Sequence, residues 1–254
     1  MGLGVNALLL LGGAGFVAGV MNAVAGGGSF LTFPALVAAG LPSVGANASS
    51  TVALFPGQLT SAYAYRREIR SFEGLSMRVL VPLSLAGGIC GSLLLLFTPE
   101  STFDRVIPWL LLAGTIAFAF GPRLGPLLRR HLHIGARTLL VLQFALAVYG
   151  GYFGGAVGLL MMAVWSVFGV SDVRAMSAAR IALVTVMNSV AVVCFAVAGK
   201  VFWVPAATMG VASIAGGYLG ARVGRRMDPA KLRVVISCFN VAITIAFFWR
   251  AFRR

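Results

Sequence analysis

Gly26, Gly27 and Gly28, followed by Ser29, interrupt an otherwise apolar run from Gly15 to Pro34, GFVAGVMNAVAGGGSFLTFP. Three consecutive glycines weaken a helix by up to about 1 kcal/mol each relative to alanine. Unwound backbone at membrane depth survives only where protein or a water-filled cavity surrounds it. If Ser29 caps a second helix after the break, that helix points its first N–H groups into the gap, the arrangement that binds an anion. The bland alternative is a glycine-rich close crossing of helices with no ligand. Asn22 stands one turn before the break, where an amide either lines a cavity or hydrogen-bonds between helices.

Arg180 is the basic residue that falls inside an apolar run. A helix beginning near Ser171 or Asp172 carries it roughly 13 Å along the axis at 1.5 Å per residue. A charge at that depth costs at least about 2.5–3.5 kcal/mol and ordinarily faces a bundle interior or cavity. No acid close in sequence neutralises it, and a guanidinium fork matches the oxyanions of sulfite, sulfonate or carboxylate in a bidentate way. The competing reading satisfies Arg180 with helix-end carbonyls or lets it snorkel to the interface past Arg174. Ser49, Ser50 and Thr51, in Asn47-Ala-Ser-Ser-Thr, and Asn188 add polar groups inside apolar segments. The expected substrate contacts are therefore Asn22, Gly26, Gly27, Gly28, Ser29, Ser49, Ser50, Thr51, Arg180 and Asn188. Gln58 is a further amide of the same ambiguous kind.

No enzyme chemistry is indicated. The six acidic residues (Glu68, Glu73, Glu100, Asp104, Asp172 and Asp228) fall in loops or at helix ends, and His131 and His133 sit in a basic central stretch. There is no nucleophile–base pair, no intramembrane carboxylate for a proton relay, and no spacing that suits a metal or another cofactor. Cys90, Cys194 and Cys238 lie in apolar runs and read as small buried packing residues.

The elements that must position these residues are membrane helices. The chain of 254 residues is 59% hydrophobic and 10% charged, with a mean hydropathy of +0.96, whereas soluble domains carry about 25% charged residues. The expected fold is thus an all-α polytopic membrane protein in a lipid bilayer. Apolar segments run over 5–40 (broken), 46–65, 79–97, 106–121, 138–169 (broken), 175–199, 203–221 and 234–249. No cleavable leader is evident at the amino terminus, which lacks a basic start. The net charge of +14 sits in short loops, as expected for loops facing an anionic leaflet rather than for nucleic-acid binding.

The two halves echo one another at an offset of 129 residues: Gly40-Leu-Pro-Ser-Val against Gly169-Val-Ser-Asp-Val, Gly87-Gly88-Ile-Cys-Gly91 against Gly216-Gly217-Tyr-Leu-Gly220, and Thr115-Ile-Ala-Phe118 against Thr244-Ile-Ala-Phe247. At that offset Arg180 corresponds to Thr51, and the opening break has a counterpart in Gly150–Gly158. Paired glycine-broken segments in corresponding halves point to a transporter's binding site. If 5–40 and 138–169 are hairpins that enter and leave on one side, each half has three further crossings and the second half is inverted. One side then collects Arg66, Arg67, Arg70, Arg78, Arg123, Arg129, Arg130, Arg137, Arg174, Arg222, Arg225, Arg226, Lys231 and Arg233, and the other keeps Arg105, Lys200, Arg250, Arg253 and Arg254. That excess makes the first side cytoplasmic and puts both termini outside the cytoplasm. The expected division is 1–125, a basic cytoplasmic linker at 126–137, and 138–254. Gly87/Gly91 and Gly216/Gly220 are small-xxx-small pairs that let helices approach closely, within one chain or across a homodimer.

With these residues in view, the chain resembles the sulfite exporter family TauE/SafE. The resemblance rests on Gly15-Phe-Val-Ala-Gly19, Asn22-Ala-Val-Ala-Gly-Gly-Gly-Ser-Phe-Leu-Thr-Phe-Pro34, Ala46-Asn-Ala-Ser-Ser-Thr51 and the echoes Gly150–Gly158 and Gly169–Arg180. It implies a multi-pass transporter of the bacterial inner membrane that moves sulfite, sulfoacetate or related organosulfonates, usually outward. It also implies two inverted repeats of four helices, each opened by a broken hairpin. The second half departs from the pattern, with Ala156-Val157 where the first half has glycines. The leading expectation is alternating-access export of a small anion. The alternative is a membrane scaffold that holds a partner through its basic cytoplasmic loops.

Overall fold

A computed structural model describes residues 4–24, 27–71, 76–129, 135–170, 172–223 and 229–252. Among them there are ten helices and no strand: α1 (Val5–Val24), α2 (Ser29–Ala38), α3 (Ser43–Tyr65), α4 (Met77–Phe97), α5 (Glu100–Arg129), α6 (Ala136–Tyr152), α7 (Val157–Phe168), α8 (Val173–Val197), α9 (Trp203–Val223) and α10 (Pro229–Phe252). Three are long and apolar enough to cross a bilayer, over Val5–Asn22, Met77–Phe97 and Arg174–Val197. At 10 and 12 residues, α2 and α7 extend only about 15–18 Å and cannot cross a hydrocarbon core of about 30 Å alone. α5 is longer than its apolar run and continues to Arg129, into the first four residues of the basic stretch expected as a linker. Hydropathy marks what lipid would touch, whereas the intrahelical hydrogen-bond ladder continues through arginine and leucine, both good helix formers.

Helix starts are closed by acids. Asp172 caps α8 by accepting from the Arg174 and Ala175 N–H groups, each at 3.0 Å. α3 begins at Pro42-Ser43 and borrows its acids from α5: Glu100 accepts from the Val44 N–H at 2.9 Å, and Ser43 Oγ donates to Asp104. Negative charge at a helix N-terminus also complements the helix dipole.

Glycines decide which helices touch. α1 lies along α9 and α6 along α4. A Cβ on Gly19 would fall on the Ser213 carbonyl, one on Gly216 on the Phe16 carbonyl, and one on Gly91 on the Val148 carbonyl. These seams are backbone against backbone, so the small-xxx-small pairs serve packing within the chain. An aromatic cluster locks the broken openers to the bundle. Phe33 of α2 meets Phe103 of α5 and Phe153 after α6 edge-on, with ring centroids 6.4 and 5.8 Å apart, and also Phe247 of α10 at 5.5 Å. Edge-to-face pairs of this kind add about 0.5–1.5 kcal/mol beyond area burial.

The outer surface is apolar: Phe97, Val197, Val5 and Val211 are largely exposed, as a lipid-facing surface allows. Cys90 and Cys238 are exposed and Cys194 is half-buried, which corrects the expectation of buried packing cysteines. In a membrane protein the face toward lipid is as apolar as the core, so an apolar run does not separate the two.

One ion pair ties the segment after α3 to the start of α8. Arg174 Nε and Nη2 donate to the two Glu68 oxygens, each at 2.9 Å. The guanidinium holds the Glu68 carboxyl below its ordinary value near 4.5. A depressed carboxylate pKa stabilises the fold above the unfolded value, and the contribution is lost as pH falls through the folded value. Thermal midpoints of the native chain and Glu68→Gln should therefore differ at neutral pH and converge in acid. Because the pair is exposed, the difference is small.

Candidate functional site

The first break joins α1 to α2. Gly27 turns through the left-handed region at φ 91, and Gly28, which has no side chain to cap with, is the N-cap of α2, with φ −56 and ψ −24. The expected cap, Ser29, is instead the first helical residue. Its backbone is already helical, and the capping acceptor comes from across the break: Asn22 Oδ1 receives the Gly28 N–H at 2.8 Å. One of the N–H groups expected to face an anion is therefore occupied. Gly26 lies outside the described residues. Asn22→Ala should leave this N–H unpaired and cost about 1 kcal/mol, measured by thermal unfolding in detergent.

The second break joins α6 to α7. Gly154 at φ 79 and Ala156 at φ 57 make the turn. Ala156 pays for a left-handed conformation that costs a non-glycine residue about 1–2 kcal/mol. Tyr149 OH holds the turn by donating to the Gly155 carbonyl at 2.7 Å.

The polar strip of α3 binds the two breaks together. Asn47 Nδ2 donates to the Tyr152 carbonyl at the end of α6, 3.0 Å away. The Ser50 and Thr32 hydroxyls are 2.6 Å apart, joining α3 to α2. Ser49 Oγ accepts the Phe202 N–H at 2.9 Å, just before α9, and Thr51 Oγ1 donates to the Asn47 carbonyl at 3.0 Å. Each of the three expected hydroxyls thus has a partner within the protein. This strip organises the site.

Arg180 stands differently. It is the eighth residue of α8 and half-buried. A Cβ at Gly158, in the first turn of α7, would lie 2.7 Å from Arg180 Cγ and Cδ, so the arginine stem crosses α7 where no side chain stands. Among the described residues no carboxylate pairs with it and no hydrogen-bond acceptor receives its guanidinium. Val184 and Asn188 continue the same face of α8 at four-residue spacing. There Asn188 Nδ2 donates to Gln58 Oε1 of α3 at 2.7 Å, while Asn188 Oδ1 is buried without a partner. The first turn of α7, which Arg180 crosses, and the last turns of α1 before the first break share one packing cluster. Leu159, next to Gly158, packs on the cluster of Met21 and Ile236, and Met21 precedes Asn22.

Among the described residues no group of three His, Cys, Asp or Glu could hold a metal ion. A cleft of about 440 Å³ between α1, α2 and α10 is lined by Leu9, Leu10, Leu31, Pro34, Ile243 and neighbouring glycine and alanines. It lies away from Arg180 and offers no polar anchor. Sequence reading passed over Asn47, Thr32 and Gln143. Gln143 accepts from Trp165 Nε1 at 3.1 Å and donates to Ser84 at 3.2 Å, knitting α6, α7 and α4. For the two amides, Asn47 and Gln143, the signal available was the same as for Asn22: an amide in an apolar run.

The family described as "Sulfite exporter TauE/SafE" matches residues 11–247. The chain is 30% identical over 238 residues to a "Probable membrane transporter protein" of Haemophilus influenzae, covering 93% of this chain and 91% of that one. It is 29% identical over 241 residues to the "Probable membrane transporter protein YfcA" of Escherichia coli K12, covering 93% and 87%. It is 30% identical over 236 residues to the "Probable membrane transporter protein ORF9" of Sinorhizobium sp, covering 92% and 87%. No solved structure matches the chain.

Proposed function

The chain belongs to the sulfite exporter TauE/SafE family, and from that premise we propose that it exports a small oxyanion, sulfite or an organosulfonate, across the bacterial inner membrane by alternating access. The observation that carries this reading is Arg180: a half-buried guanidinium without a counter-ion among the described residues, lying across the bare backbone of Gly158 just past the second helix break. A buried cation is stable when something anionic or polar completes it, and a small oxyanion does so in bidentate fashion.

Two inverted repeats, 1–125 and 138–254 around a basic linker at 126–137, supply the moving parts. Several features support the pairing. Gly27 in the first break and Ala156 in the second, both left-handed, are 129 positions apart. Thr115 Oγ1 and Thr244 Oγ1, also 129 apart, are bonded at 3.0 Å. Each opening helix packs on the other half, α1 on α9 and α6 on α4. With α4 and α6 side by side in the same direction, and Arg174 bound to Glu68, α6 enters and α7 leaves at the arginine-rich end. That end is cytoplasmic by its charge. No acid stands inside an apolar segment, so uniport is the simplest energetics. A negative cell interior drives an anion outward by about 2.3 kcal/mol per charge per 100 mV.

The test is thermal stability of the purified protein against sulfite, sulfoacetate, sulfate, acetate and chloride. A ligand at 100 times its Kd should stabilise by about 2.7 kcal/mol. A rise with sulfite or the sulfonate but not with chloride is the expected result. A protein indifferent to every anion would remove the assignment.

A further inference from the structure

The buried face of α10 reads Ile236, Asn240, Thr244 at four-residue spacing. Ile236 packs with Met21 while Leu31 and Leu159 close around them, so this face lies against residues that flank both helix breaks. Thr244 Oγ1 donates to the Asn240 carbonyl at 2.7 Å and bonds Thr115 at 3.0 Å. Between these contacts the Asn240 side chain is 0% exposed, and neither Nδ2 nor Oδ1 has a partner. An amide offers two donors and two acceptor lone pairs, and burying it unbonded is unfavourable. The corresponding position 129 residues earlier is Leu111, also fully buried. At that place in the first half, packing is satisfied by an apolar side chain of similar size. The amide of Asn240 is therefore not what the core asks for.

We propose that Asn240 is a ligand-facing amide of the transport passage, one that Arg180 and the glycine breaks do not include. The inference rests on the transport reading above and deepens it. Nδ2 donates to an oxygen of the passing oxyanion, and Oδ1 accepts from a hydroxyl, either of a singly protonated oxyanion or of the water that travels with it. The class of ligand is a small oxyanion bearing a proton or part of its hydration shell, as distinct from a bare halide, which has no donor for Oδ1.

Two variants test this in the full-length protein. Asn240→Leu, which reproduces the residue of the first half, should raise the thermal midpoint and reduce anion flux in proteoliposomes at least tenfold. In a chain with Cys90, Cys194 and Cys238 replaced by alanine, Asn240→Cys should react with a small water-soluble methanethiosulfonate, and Leu111→Cys should not. Failure of Asn240→Cys to react would overturn the proposal whatever the substrate. So would Asn240→Leu with unchanged flux in a wild type that transports, or with stability and flux lowered together, since the amide would then be a packing element. If Asn240→Cys reacts although the wild type moves none of the anions, the anion assignment fails alone and the passage lined by Asn240 stands.

Discussion

Arg180→Ala should lose at least tenfold of its anion flux in proteoliposomes while inserting and folding as the wild type does. A hydrogen bond to a charged group contributes about 1.5–3 kcal/mol, and each 1.4 kcal/mol is a factor of ten. Stability should hold or rise, because the variant removes a half-buried cation that no carboxylate of the described residues pairs with and that costs at least about 2.5–3.5 kcal/mol at membrane depth. Arg180→Lys should recover only part of the flux: it restores the charge but not the planar fork that holds two oxygens. The pair of variants separates recognition from folding. Flux unchanged in Arg180→Ala would remove Arg180 from the passage, and a protein that fails to fold would make it a structural arginine.

Gly216→Ala and Gly91→Ala should each cost more than most single substitutions, in the upper part of the roughly 1–3 kcal/mol typical of overpacking or beyond it. Each new methyl would fall on a carbonyl of the facing helix, Phe16 for Gly216 and Val148 for Gly91, closer than a real Cβ approaches anything. The obstacle is backbone, so no rotamer change relieves it; α1 must part from α9, or α6 from α4. Gly12→Ala and Gly13→Ala are the controls, because nothing stands within 4 Å of a Cβ there, and alanine favours the helix by up to about 1 kcal/mol. Thermal unfolding in detergent reads all four. If the seam variants behave like the controls, the helices are not held at backbone contact.

How much of this was legible beforehand varies by residue. The glycine break after Asn22 and the half-buried charge of Arg180 were visible because a helix breaker and a charge stand out against an apolar background. The role of Ser49 was not. Its hydroxyl accepts from Phe202, a residue 153 positions away, and no local pattern announces which N–H a distant helix will leave open. Ser29 shows the limit at shorter range: the cap came from Asn22, six residues back from Gly28, because the chain folds over its own break. The cysteines failed for another reason. Hydropathy ranks residues by transfer out of water, and both lipid and core accept the same ones.

The sequence by itself determined the membrane class, the two breaks and the residues that repeat 129 positions apart, since composition, glycine content and spacing are local quantities. Only the tertiary structure decided which polar groups are already spent. Ser49, Ser50, Thr51 and Asn47 have partners within the protein. Both amide atoms of Asn240 and Asn188 Oδ1 have none, and no carboxylate of the described residues pairs with Arg180. Satisfaction of a hydrogen bond often depends on a second group from a distant helix, and the glycine seams, whose spacing is local but whose partner helices no local pattern names, set which helices lie within reach.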